Sequence, residues 1–240
     1  MAFFQNSRPS REPFLNAPPI VLWLIGLLLA THALRVFLPA DWAENILLTY
    51  ALTPARYAAA VAQGIPPSGL FGLIAPFVSY LFLHADFVHV GINSLWLLVF
   101  GPVVARQLGV LKFLLFFVFC GIVAALVHIA VYWGSPMAVV GASGAISGLM
   151  GAGMRILYGR LYGHGAGLAP ILSRPILLFS LVWVIANIVS GLLRIGVIDD
   201  VALVAWVAHL GGYFAGLSAI GPFDRMPIGR RLHPAGTLSD

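Results

Sequence analysis

The chain has 240 residues, of which 60% are hydrophobic and 9% charged, with a mean hydropathy of +0.98; a water-soluble domain carries about 25% charged residues, so a soluble globular protein is excluded. The net charge of +5 comes from 13 basic residues scattered between apolar segments. They form no run or aromatic-interleaved patch of the kind that binds nucleic acid, and nucleic-acid partners are excluded.

The first 19 residues hold Arg8, Arg11 and Glu12 with prolines at 9, 13, 18 and 19, a composition that predicts a flexible cytoplasmic lead-in rather than a helix. Six apolar stretches follow, each near the roughly 20 residues needed to cross a hydrocarbon core. The first is Ile20–Leu38, entered through Pro18-Pro19 and read as an uncleaved span because no Ala-x-Ala-like end follows it. A long Pro- and Gly-containing connection, Ala40–Pro76, is predicted to carry one short interfacial helix at Leu52–Ala62, with Arg56 facing water and Tyr57 at the headgroups. The second span begins after Phe77 and ends near Ala105; the third is Phe113–Trp133 and contains the lone Cys120, a core or lipid-facing residue that allows no disulfide within the chain. The fourth covers about Val139–Leu157, the fifth Ile176–Leu193 after a Gly-rich link, and the sixth Val201–Ile220. This predicts an all-α, polytopic membrane protein: an N-terminal segment 1–19, a six-helix membrane domain 20–221 and a tail 222–240.

Basic residues orient the spans. Arg8, Arg11, Arg106, Lys112, Arg155, Arg160, Arg174, Arg225, Arg230 and Arg231 fall on one side, and Arg35, Arg56 and Arg194 on the other with Asp41, Glu44, Asp86, Asp199 and Asp200. This positive-inside bias places both termini in the cytoplasm and fits six spans, not five or seven.

The polar residues of this apolar chain concentrate in spans two, four and six, and polar groups in hydrocarbon are costly enough to be functional candidates. Ser143 lies in the charge-free run Val139 to Gly151, and His209 in the sixth span. Gly144 and Gly148, like Ser147 and Gly151, are small residues at four-residue spacing, and Gly212 and Gly216 follow His209 at matching intervals. Faces of this kind let helix backbones approach closely, which would bring the Ser143 hydroxyl to His209. A lone membrane serine usually bonds the carbonyl four residues back, and a lone histidine can be an interhelical packing residue; the pairing on complementary faces favours nucleophile and base. In the second span His89 and Asn93, four apart, share one helix face and offer two donors to a developing oxyanion, or to a structural hydrogen-bond network. His84 belongs to the preceding loop or first turn. A zinc site from His84, His89 and His209 lacks an acidic partner and the usual ligand spacing. Asp199 and Asp200 precede His209 by roughly 14 Å of helix, which leaves a serine–histidine dyad oriented by neutral neighbours.

Together these residues resemble the rhomboid family of intramembrane serine proteases. The pattern His-x4-His-x3-Asn matches His84, His89 and Asn93; Gly-x-Ser-Gly matches Gly141, Ser143 and Gly144; Ala-His-x-x-Gly-x-x-x-Gly matches Ala208, His209, Gly212 and Gly216. The resemblance implies a six-helix bundle that hydrolyses peptide bonds in or beside the transmembrane segment of single-span proteins. Ser143 would be the nucleophile and His209 the base, with the oxyanion held by the Ser143 N–H, His89 and Asn93, and with His84, Gly141, Gly144, Gly212 and Gly216 in support. It implies no cofactor or metal, transmembrane protein substrates and the lipid bilayer as partners, with water entering from the extracytoplasmic side. The architecture, a short basic lead-in with no appended soluble domain, suggests a minimal prokaryotic form, a multi-pass protein of the bacterial inner membrane. Three positions depart from the family pattern: Ser147 stands where an aromatic residue often packs on the base, Ala105 where a glutamate often occurs, and Trp42 is followed by Ala43 rather than arginine. The other readings are a catalytically inactive binder of membrane-protein helices on the same fold, which would lack the serine or the histidine, and a channel or transporter, which would spread its polar residues over more helices.

Overall fold

The computed structural model describes residues 17–66, 68–162, 167–193 and 205–227. The lead-in before residue 17, Arg194, the Asp199–Asp200 pair and the basic tail after 227 lie outside them. The described chain is all α-helical, with α1 (Pro19–Val36), α2 (Ala40–Tyr50), α3 (Pro54–Gln63), α4 (Gly69–Ile74), α5 (Pro76–Ser79), a 3-10 turn at Tyr80–Phe82, α6 (Phe87–Leu108), α7 (Val110–Val131), α8 (Ser143–Leu161), α9 (Arg174–Leu192) and α10 (Ala205–Arg225). Four helices, α1, α6, α7 and α9, are long and apolar enough to cross a membrane, and they expose large apolar side chains such as Trp23, Leu34, Leu95 and Val182. This is a polytopic membrane protein. The long helices α8 and α10 are less apolar for a physical reason: they are rich in glycine and pack against protein, and 12 of the 19 residues of α8 are buried.

Close contacts fix the direction of every long helix. Gly144 and Gly148 of α8 face Gly212 and Gly216 of α10 in ascending order, so these two helices run parallel. The same α8 glycines meet Ala124 and then Cys120 of α7, in descending order, so α7 is antiparallel. The α6 residues His89 and Asn93 lie by Gly141 and Phe100 lies by Gly153, so α6 is parallel to α8. Val21 against Gly101 and His32 against Phe87 make α1 antiparallel to α6. Asn187 with His209 and Ser180 with Tyr213 make α9 antiparallel to α10. The six long helices therefore alternate in direction, and the N-terminal ends of α6, α8 and α10 share one face of the bundle.

The α8–α10 contact is backbone to backbone. A Cβ on Gly212 would fall onto the Gly144 carbonyl oxygen, and one on Gly216 onto that of Gly148; this is the close approach that the small-residue spacing predicts. At the opposite end Gln107 Nε2 donates to Asp224 Oδ2 at 3.1 Å, Lys112 Nζ to the Asp224 carbonyl at 3.2 Å, and Arg160 to Gln107 Oε1 at 3.0 Å.

Several boundaries differ from the expectation. The connection after the first long helix contains α2 as well as α3; Pro39 before α2 and Asp41 in its first turn are ordinary helix-start signals. Arg56 does not simply face water: it is half-buried and donates to the Leu48, Thr49 and Gly72 carbonyls, capping the end of α2. Tyr57 is likewise half-buried, packs its ring at a tilt against Phe77 and donates to the Leu73 carbonyl at 3.1 Å, and burial pushes its hydroxyl pKa up to about 12. The stretch after Phe77 is not the start of a long helix, since a 3-10 turn and the non-helical Leu83–Asp86 intervene before α6. The helix of the fourth apolar stretch begins at Ser143, because Val139 pairs with Leu52 in a short antiparallel bridge. Finally, α10 continues through Pro222 to Arg225, past the expected boundary at 221. Phe223 packs against Phe116 and Phe119, and the Asp224 bonds secure the last turn.

The α8–α10 register carries a direct test. Gly212→Val lowers stability by about 1–3 kcal/mol through overpacking, read as a fall in the thermal midpoint in detergent. Gly26→Ala, where nothing lies within 4 Å of the added methyl, shows no such fall. Equal midpoints for the two variants contradict the close approach.

Candidate active site

Three helix N-termini build one polar cluster. Asp86 caps α6 by accepting from the His89 backbone N–H at 2.8 Å, which sets the first turn and points His89 and Asn93 inward from the third and seventh positions of that helix. Arg35 at the end of α1 donates to the His84 carbonyl at 2.8 Å and to that of Ala85 at 3.3 Å, holding the entry loop. His84 is fully buried in this loop, edge-on to His89 with ring centroids 5.1 Å apart, and His32 of α1 lies beyond it at 6.5 Å. The placement of His84 before the first turn agrees with its spacing from His89. Its contact is with the His89 ring, behind the site.

Gly141 shapes the approach to α8. Its N–H donates to the Tyr80 carbonyl at 2.9 Å, and its φ of +118° is one that side-chain-bearing residues rarely adopt. A Cβ there would stand 2.8 Å from His89 Nε2 and 3.4 Å from Asn93 Nδ2. Those two donors therefore converge on the backbone two residues before Ser143. Asn93 is buried, and its Nδ2 finds no acceptor among the described residues. Ser143 is the first residue of α8, so its N–H belongs to the orphan first-turn donors that have no carbonyl within the helix.

His209, in the second turn of α10, reaches across the glycine contact. Its Nε2 lies 2.8 Å from Ser143 Oγ, and its Nδ1 lies 3.0 Å from Asn187 Oδ1 on α9. Both Ser143 and His209 are half-buried rather than sealed in the core. The structure thus brings together Ser143 with His209, and places His89, Asn93, Gly141, Gly144, Gly212 and Gly216 around them.

Two parts of the arrangement lie outside what the motifs describe. The Ser147 hydroxyl donates to the Ser143 carbonyl at 2.8 Å, the back-bond typical of helical serine, and so does not orient the imidazole. The neutral neighbour on His209 is Asn187, which no motif singled out. A signal existed: Ser180 and Asn187 are polar residues two turns apart in an apolar span, hence on one face. A separate cleft of about 370 Å³, lined by Tyr158, Tyr162, Pro170 and Arg174, begins some 22 Å along α8 from Ser143 at 1.5 Å per residue. It contributes nothing to this cluster.

The Rhomboid domain family matches residues 72–223. A candidate rhomboid protease of Bacillus subtilis (strain 168), YdcA, is 33% identical over 142 residues, which cover 58% of this chain and 63% of that protein. The chain thus spans less than two thirds of the length of that relative.

Gly141→Ala tests the geometry of the approach. The positive φ and the crowding by His89 together cost about 1–3 kcal/mol, measurable as a lower thermal midpoint in detergent. An unchanged midpoint contradicts the described conformation at Gly141.

Proposed function

Since this chain belongs to the rhomboid family, we propose that it is an intramembrane serine endopeptidase that cleaves single-span membrane proteins in or near their transmembrane segment. The observation that carries this reading is the 2.8 Å separation of His209 Nε2 and Ser143 Oγ, within the hydrogen-bond reach that a nucleophile and its general base require. His209 takes the Ser143 proton as Oγ attacks the scissile carbonyl carbon. The tetrahedral intermediate collapses to an acyl-enzyme as the C–N bond breaks, and His209 returns the proton to the leaving amine. Water, deprotonated by the same imidazole, then attacks the ester and releases the new carboxyl end with Ser143 restored.

The negative oxygen of each intermediate is held by the Ser143 N–H with the side chains of His89 and Asn93. The uncommitted Nδ2 of Asn93 supports this role, because a buried amide donor without a partner costs free energy that an oxyanion would recover. His84 supports His89 from behind, and Gly141, Gly144, Gly212 and Gly216 provide the room. The chemistry proceeds with neither metal nor cofactor.

The six alternating long helices, by this reading, all cross the bilayer as the domain 20–221, with the shorter flanks on the cytoplasmic side. The basic residues at the ends opposite the site support that orientation. The site then opens toward the extracytoplasmic side, where water is available, and the protein resides in a bacterial cell membrane with transmembrane proteins as substrates.

The test is cleavage of a fluorescently tagged single-span reporter by the full chain reconstituted in liposomes. Wild type cleaves it, and Ser143→Ala and His209→Ala do not. Asn93→Ala and His89→Ala each lose about 10²–10³ in kcat, the effect of removing one oxyanion donor, while keeping the wild-type thermal midpoint. Intact reporter with well-folded wild type, across a panel of such reporters, favours the helix-binding reading instead.

A further inference from the structure

Of the four most apolar spans, α9 buries the smallest share of itself. The three residues it buries are Ile176, Ser180 and Asn187, so two of its three inward residues are polar. Both meet α10: Ser180 Oγ lies 2.7 Å from the Tyr213 hydroxyl, and Asn187 Oδ1 lies 3.0 Å from His209 Nδ1. The first pair ties two helices together. The second touches the imidazole that also contacts Ser143.

The Asn187 amide is oriented by its own helix. Its Nδ2 donates to the Trp183 carbonyl one turn back at 2.9 Å. Reversing the amide would set its oxygen against that carbonyl, two acceptors face to face. Oδ1 is therefore the atom presented to His209, and an amide oxygen only accepts. Nδ1 must then carry the imidazole proton, and the neutral ring keeps its lone pair on Nε2, the atom 2.8 Å from Ser143 Oγ. The opposite tautomer would place two acceptors together at Asn187 and an N–H donor against the serine, with no lone pair to take its proton. Wrong-tautomer histidine costs a serine hydrolase about 10⁴ in kcat. A neutral amide does this without burying a carboxylate in an apolar span, which would be far more costly.

We propose that Asn187 is the positioning residue of the site, holding His209 as the Nδ1–H tautomer so that Nε2 serves as base. The inference rests on the Ser143–His209 reading of the reaction. It also accounts for a base that has no acidic partner among the described residues and no aromatic ring at position 147.

The test joins a tautomer measurement to a rate, on the full chain in detergent. In ¹⁵N spectra of histidine-labelled protein, with His209 assigned by the signal missing from His209→Gln, wild type shows Nδ1 protonated and Nε2 bare, and Asn187→Ala loses this preference. Labelling by a fluorophosphonate slows about 10- to 100-fold in Asn187→Ala, a part of the roughly 10²–10⁴ that general-base assistance contributes, and recovers most of the loss in Asn187→Asp, which keeps an acceptor. Ser180→Ala breaks the other α9–α10 bond and lowers the thermal midpoint, but leaves the tautomer and the labelling rate in place. A wild-type His209 protonated on Nε2, or Asn187→Ala labelling at the wild-type rate, overturns the proposal. So does a Ser180→Ala rate as low as that of Asn187→Ala. Wild type that carries the Nδ1–H tautomer yet resists the probe would refute the hydrolase reading and leave the assignment of Asn187 standing.

Discussion

The arrangement rests on the contact between the backbones of α8 and α10. Helices packed through ordinary side chains keep their axes about 8–10 Å apart, and at such a distance a serine hydroxyl and an imidazole on facing turns depend on long reaches and free rotamers. Gly212 and Gly216 remove the side chains that would otherwise stand on the Gly144 and Gly148 carbonyls. In a bilayer no hydrophobic force drives two helices together, so close packing of small residues supplies the attraction. The same four glycines therefore contribute to the stability of the bundle and to the 2.8 Å separation of His209 Nε2 and Ser143 Oγ. Stability and the proposed chemistry are set by one contact.

A second constraint follows from direction. Because α6, α8 and α10 run parallel, their N-terminal ends gather on one face, and with them the positive dipole ends of three helices. The negative charge that the proposed reaction would develop near Ser143 would meet an environment already polarised to receive it. The remaining elements hold these ends in place: Arg35 fastens the loop that carries His84, Asp86 caps α6, and Tyr80 fixes the backbone at Gly141. At the far end the bonds of Gln107, Lys112 and Arg160 join α6, α7, α8 and α10, so the bundle is polar at its two ends and apolar between.

Much of this is legible in the chain itself, where the physics is local or repetitive. Runs of apolar residues of bilayer length mark the long helices, and glycines at four-residue spacing mark the faces of α8 and α10 that meet. The His89–Asn93 spacing puts both donors on one side of α6. What is not legible depends on distant partners. Helix α2 is hidden in a proline-containing connection because it is short and buries no residue fully, with only Ile46, Leu47 and Tyr50 packing partly against the Ala51, Leu83 and Val140 cluster. Ser143 reads as part of a continuous apolar run, but the pairing of Val139 with Leu52, 87 residues earlier in the chain, delays the helix until Ser143 itself. Asn187 carries no motif; its meaning lies in an imidazole 22 residues away. Ser147, by contrast, invites a role by its nearness to Ser143, and the local back-bond to the Ser143 carbonyl takes its proton instead.

The most direct measurement is the location of a covalent adduct. Full-length protein in detergent is treated with a fluorophosphonate, digested and mapped by mass spectrometry. The account predicts a single phosphonylated residue, Ser143, and no adduct in a folded His209→Ala variant, where the hydroxyl has lost its base. An adduct at another residue, or an undiminished Ser143 adduct without His209, would contradict it.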